Sequence, residues 1–124
     1  MGIRLQFIGG GKMGEALLGG LIADGWAPPE ELAVVETRAP RRRELAGRYP
    51  RTPVSEEPQP GVDAVLAVKP DDVESAAGVL SAAGSPRVLS IAAGVRTASL
   101  ERWLGAGVRV VRAMPNTPAL VGCG

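Results

Sequence analysis

Short apolar runs alternate along the chain with stretches whose apolar residues recur at helical spacing. Residues 3–8, apolar from Leu5 to Ile8, predict a first strand that meets a glycine cluster. Beyond it Met13, Ala16, Leu17, Gly20 and Leu21 predict a helix over 13–23, stopped by Gly25 and the pair Pro28-Pro29. Residues 32–35 form a second, β-branched run that ends at Glu36. An arginine-rich stretch over 38–51, with Leu45 and Tyr49 as a narrow apolar stripe, predicts a helix with a basic face. Residues 51–55 supply only a short third strand, and 56–61, with Pro58 and Pro60, a loop. Residues 63–68 predict a fourth strand, uninterruptedly apolar after Asp63 as in strands buried on both faces of a parallel sheet. The run leads into Lys69-Pro70-Asp71-Asp72, where Asp71 or Asp72 is expected to cap a helix carrying Val73, Ala76, Ala77 and Leu80 and ending at Gly84. A fifth strand is predicted over 88–92. Thr97 is expected to cap a short helix presenting Leu100, Trp103 and Leu104, and a sixth strand follows over 108–113.

Strands alternating with helices predict an α/β fold with a parallel sheet and right-handed crossovers. In the first turn Gly9, Gly11 and Gly14 occupy the three positions of a GxGxxG fingerprint that follows a strand and opens a helix. Its glycines serve the tight turn, the close approach of backbone to a pyrophosphate, and the packing of helix on strand. The expected architecture is therefore a Rossmann-type doubly wound sheet of strand order 3-2-1-4-5-6 with helices on both faces. A P-loop does not fit, because Lys12 lies inside the glycine triplet and no Gly-Lys-Ser/Thr follows. Glu36 lies 22 residues beyond Gly14, about where an acidic residue reads the adenosine ribose. Arg38, Arg41 and Arg42 follow that position and suit either a 2′-phosphate or a solvated helix face. For Arg43, Arg48 and Arg51 the solvated face is expected. Ligands of such sheets bind beyond the carboxyl ends of the strands. The tripeptides Gly9-Gly10-Gly11, Glu36-Thr37-Arg38, Val68-Lys69-Pro70, Ala92-Ala93-Gly94 and Met114-Pro115-Asn116 all fall at those ends.

Composition narrows the chemistry. The chain of 124 residues is long enough for one cored domain, and its hydrophobic fraction of 45% and charged fraction of 22% are ordinary for a globular one. Without histidine there is no Ser-His-Asp or Cys-His arrangement, and no other side chains have metal-ligand spacing. The net charge of +1 and 3% aromatic content give no basis for nucleic-acid binding. No run is long enough to span a bilayer, the N-terminus lacks signal-peptide regions, and Cys123 has no partner for a disulfide, so a cytoplasmic protein is expected.

The segments FIGGGKMGEALLGGL, LAVKPDDV, LSIAAGV and VVRAMPNTPALVGCG together resemble pyrroline-5-carboxylate reductase, over residues 3–124. The resemblance implies reduction of the cyclic imine 1-pyrroline-5-carboxylate to L-proline by a nicotinamide cofactor, and Arg38 with the arginines after it favours NADPH, with NADH possible. It places Ile8, Gly9, Gly10, Gly11, Lys12 and Met13 at the phosphates, with Gly14 of the fingerprint completing the cofactor turn, and Glu36, Thr37 and Arg38 around the adenosine ribose. It puts Ala67, Val68, Lys69, Pro70, Ile91, Ala92 and Ala93 along the ribose and nicotinamide side, with Asn116 near the nicotinamide end. The family has a small polar residue where Glu36 stands, and a glutamate there is expected to favour a free 2′-hydroxyl over a 2′-phosphate. Glu15 and Thr117 have no expected partner constellation, so no catalytic residue is assigned. Residues 1–124 are read as one NAD(P)-binding domain. The family's helical domain, which forms the dimer and completes the pocket for the small-molecule substrate, is expected beyond Gly124, so the chain is read as a fragment and a homodimer or higher oligomer is expected only with that domain. A related imine reductase, a β-hydroxyacid dehydrogenase domain and a non-catalytic NAD(P)-binding module are the competing readings.

Overall fold

In the computed structural model, which describes residues 2–91 and 95–112, the first apolar run forms β1 (Leu5–Ile8) and passes through the glycine turn into α1 (Lys12–Ala23). A 3-10 turn, Pro29–Glu31, leads to β2 (Leu32–Val35), followed by α2 (Ala39–Arg48), β3 (Val54–Ser55) and β4 (Ala64–Leu66). A second 3-10 turn, Pro70–Asp72, opens α3 (Val73–Ala83), and β5 (Arg87–Ser90), α4 (Thr97–Leu104) and β6 (Arg109–Arg112) complete the described chain. All six strands are parallel, in the order β3-β2-β1-β4-β5-β6. This is the doubly wound order expected from the sequence, and it puts β1, with the glycine turn at its end, at the centre.

Successive side chains of a strand point to opposite faces of the sheet, which divides the core in two. Phe7, Val34 and Val65, in register across β1, β2 and β4, pack with Leu18 of α1 and Leu45 of α2 on one face. Ile8, Val35 and Leu66 pack on the other with Leu80 of α3 and Leu100 of α4. Each fully buried leucine contributes about 1.5–3 kcal/mol through removal from water. Gln6 is buried in β1, where its amide donates to the carbonyls of Gln59 (3.1 Å) and Val62 (3.3 Å) and accepts from the Gln59 amide (2.7 Å). A loop more than fifty residues away in sequence is thereby tied to the central strand.

Helix boundaries differ from expectation where proline and the caps decide them. The helix expected over 38–51 ends at Arg48, because Tyr49 precedes Pro50 and is held out of the helical region at φ −127°, ψ 70°. Neither Asp71 nor Asp72 caps α3 with its side chain. Pro70 starts a 3-10 turn that leaves Asp72 at φ −101°, ψ −1°, not in the extended conformation from which a cap side chain reaches back. Thr97 likewise is the first residue of α4, with extended Arg96 in the cap position. Gly84 does end α3, in the left-handed region at φ 74°. The expected strand over 88–92 begins one residue earlier and ends at Ser90. Among the described residues no helix is long and apolar enough to cross a membrane.

Candidate functional site

Gly9 leaves β1 at φ +104°, and a Cβ there would stand 2.8 Å from the Ala67 carbonyl oxygen, so the turn requires glycine on both counts. A Cβ on Gly14 would lie 2.4 Å from the Gly9 carbonyl oxygen, and its absence lets α1 settle onto the turn. Gly11 is the N-cap of α1 and no side chain closes that end. A Cβ on Gly11 would meet nothing within 4 Å. The space beside this helix start is therefore open to a ligand.

That space is a cleft of about 470 Å³ beyond the carboxyl ends of β1, β2 and β4, where the strand order reverses. Of the residues singled out from the sequence, Ile8, Gly9, Gly11, Glu36, Thr37, Arg38, Ala67, Val68 and Lys69 line it. Gly10 and Gly14 are buried behind the turn, Lys12 and Met13 are exposed on α1, and Pro70 is exposed beyond β4. Ile91 packs partly against the core on the α1 and α2 side. Ala92, Ala93 and Asn116 lie outside the described residues. The lining also includes residues that the sequence reading did not assign to the site. Glu56 and Pro58 come from the loop after β3, and Asp72, Ser75, Ala76 and Val79 come from α3 and its approach. The last four recur at helical spacing, and that stripe was the signal available for them. A second hollow, of about 580 Å³, lies at the amino-terminal ends of the strands beside Arg4, Asp63, Arg87 and Arg109, and none of the sequence-derived site residues reaches it.

The charged groups around the turn are held by one another. Glu36 is only 6% exposed. Its Oε1 accepts from the Gly10 amide (2.9 Å), and its Oε2 from the Arg38 amide (2.9 Å) and Arg38 Nε (3.2 Å). Burial pushes the Glu36 carboxyl up, but these bonds together outweigh it and bring it below its ordinary value, so it is ionised at neutral pH. Arg41 donates Nε to the Gly10 carbonyl and Nη2 to Glu15 Oε1 (2.7 Å), and it also pairs with Glu44. Glu15 Oε2 accepts from Arg48 Nη1 (2.6 Å) and the Tyr49 hydroxyl (3.2 Å). The expectation that Glu15 lacks a partner constellation is thus corrected. Helical spacing showed its face but not the groups on α2 that meet it. The bond from Arg48, helped by Arg41 and Tyr49, lowers the Glu15 carboxyl against the opposing effect of burial. Arg42 donates to the carbonyls of Glu36 (2.8 Å) and Thr37 (2.9 Å), and Arg51 pairs with Glu30. Arg43, Arg48 and Arg51 are all solvent-exposed as expected, and Arg48 and Arg51 are in addition ion-paired, with Glu15 and Glu30.

Residues 4–94 match the family model described as NADP oxidoreductase, coenzyme F420-dependent. The pyrroline-5-carboxylate reductase of Pseudomonas aeruginosa is 41% identical over 123 residues, covering 95% of this chain and 45% of the relative. That of Mycobacterium leprae is 43% identical over 130 residues, covering 98% and 44%. The chain thus spans a little under half the length of these curated relatives. Among solved structures, the pyrroline-5-carboxylate reductase of Coxiella burnetii superposes with a TM-score of 0.84 at 32% identity, over 96% of this chain and 46% of its own. The Plasmodium falciparum pyrroline carboxylate reductase with NADP bound superposes with a TM-score of 0.70 at 27% identity, over 97% and 45%.

Proposed function

Because the chain belongs to the family of NADP oxidoreductases described as coenzyme F420-dependent, we propose that it is the cofactor-binding part of a pyrroline-5-carboxylate reductase, using NADPH in preference to NADH. The observation that carries this reading is the cleft at the strand-order reversal, into which Gly11 and the open start of α1 face. Helix N-termini attract phosphate through unpaired amides and the helix dipole, and at Gly11 a pyrophosphate meets no side chain. The residues present fit such a group. The similarity to pyrroline-5-carboxylate reductases across 95% of the chain supports the substrate, and the NADP-bound Plasmodium falciparum structure supports the cofactor.

In this reading Gly9 to Gly14 form the phosphate-binding turn, with Ile8 leading into it. Glu36, Thr37 and Arg38 form the adenosine end, and Ala67 to Pro70 and Ile91 the side toward the nicotinamide, continued by Ala92, Ala93 and Asn116. When bound, the reduced nicotinamide supplies a hydride to the imine carbon of protonated 1-pyrroline-5-carboxylate, whose nitrogen becomes the amine of proline. The chain's own share is binding and orientation, with no side chain assigned as acid or base. The protein is placed in the cytoplasm, and a homodimer or higher oligomer is expected together with the helical domain that the resemblance implies. Titration of the purified chain with NADPH and with NADH, followed by cofactor fluorescence, tests the assignment. Both should bind, NADPH more tightly. Binding of neither overturns the cofactor site, and tighter binding of NADH overturns the preference.

A further inference from the structure

The fingerprint calls for glycine at positions 9, 11 and 14 but leaves the position between the first two free, and here it too is glycine. The structure supplies a reason. A Cβ on Gly10 would stand 2.6 Å from Leu45 Cδ1 and 3.1 Å from Glu36 Oε1. The buried Gly10 peptide is held on both sides, its amide by Glu36 Oε1 and its carbonyl by Arg41 Nε. The other Glu36 oxygen is occupied by the amide and Nε of Arg38. For Glu36 to turn out to a ribose it would have to abandon a buried N–H, which is costly because a buried donor left without its acceptor carries the desolvation penalty unrepaid. Arg38 touches Glu36 at its inner edge, and its side chain remains 69% exposed on the cleft side.

Resting on the cofactor reading above, we propose that Glu36 is a positioning residue that acts on cofactor binding through the Gly10 peptide, seating the phosphate turn, and does not select between a 2′-hydroxyl and a 2′-phosphate. The two roles make opposite predictions for affinity. A ribose-reading glutamate replaced in Glu36→Ser strengthens NADPH binding and weakens NADH binding. A turn-seating glutamate weakens both by the same factor, about tenfold or more for loss of a charge-assisted bond, and the ratio of the two affinities stays at the parent value.

The test is equilibrium titration of the parent chain, Glu36→Ser and Glu36→Gln with NADPH and NADH, each first checked for a cooperative thermal transition. Glutamine keeps an oxygen to accept the Gly10 amide but turns an NH2 donor toward Arg38, so Glu36→Gln should recover part of the affinity lost in Glu36→Ser, for both cofactors alike. A merely destabilised fold would move the thermal midpoint without this recovery. Opposite shifts for the two cofactors in either variant, or parent affinity in Glu36→Ser, would overturn the proposal. Failure of the parent chain to bind either cofactor would instead overturn the cofactor site itself, and this inference with it.

Discussion

Gly11 and Gly14 belong to one motif, yet the structure gives them different work. A methyl on Gly14 would run into the Gly9 carbonyl at 2.4 Å, backbone against backbone, which no rotamer relieves. Gly14→Ala must therefore lift α1 off the turn, with an expected destabilisation of about 1–3 kcal/mol read from chemical denaturation. Gly11 has open space around its absent Cβ. Gly11→Val should retain the fold, losing at most about 1–2 kcal/mol through a poorer N-cap, but abolish detectable NADPH binding because its side chain would fill the position proposed above for the pyrophosphate. A folded Gly11→Val chain that binds like the parent would remove the phosphate site from this turn. The glycine spacing was legible in the sequence, since it is local. The division of labour was not, because it depends on what stands opposite each Cα.

At the scale of the elements, α1 and α2 are joined by Glu15, whose carboxylate receives Arg41, Arg48 and Tyr49. Sequence periodicity identified both helices, but Glu15 and Arg48 are 33 residues apart and nothing in either stretch shows that they meet. The Glu15 carboxyl is lowered in the folded protein from an ordinary value of 4.5. A group whose pKa falls on folding stabilises the fold above its unfolded pKa, and that contribution disappears as pH falls through the folded value. The parent should accordingly have a higher thermal midpoint than Glu15→Gln at pH 7, with the gap narrowing progressively below about pH 4.5. A gap that persists unchanged into strong acid would show that the ion pairs do not contribute in this way. The same limit on local pattern applies to Gln6, which lies in the first expected strand but whose buried amide finds its partners 53 and 56 residues away.

For the whole molecule, the cleft has walls from β1, β2, β4 and α3, and Val79 on α3 is 48% exposed. Ordered substrate and excluded water together lower a barrier substantially, on the order of 7–11 kcal/mol for ideal positioning, and this requires a second wall over the nicotinamide. The chain corresponds to 45% of the Pseudomonas aeruginosa relative. By itself it should bind NADPH yet oxidise it very slowly with 1-pyrroline-5-carboxylate, whereas a chimera continued by the rest of that relative should turn over readily. Absorbance of the reduced cofactor distinguishes the two, and equal rates would place the catalytic machinery within these residues. The order of strands and helices and the position of the glycine turn were determined by sequence alone, because apolar periodicity, glycine and proline act over a few residues. A fingerprint on the first strand further favours one doubly wound order of the sheet. Only the tertiary structure decided that Glu36 points back to the Gly10 amide, that Arg41 grips the same peptide, and that Glu56 and Pro58 enter the cleft. Hydrophobic pattern records how far a position is buried. It carries no information about which polar group, 26 or 31 residues away, a side chain will meet once the sheet has assembled.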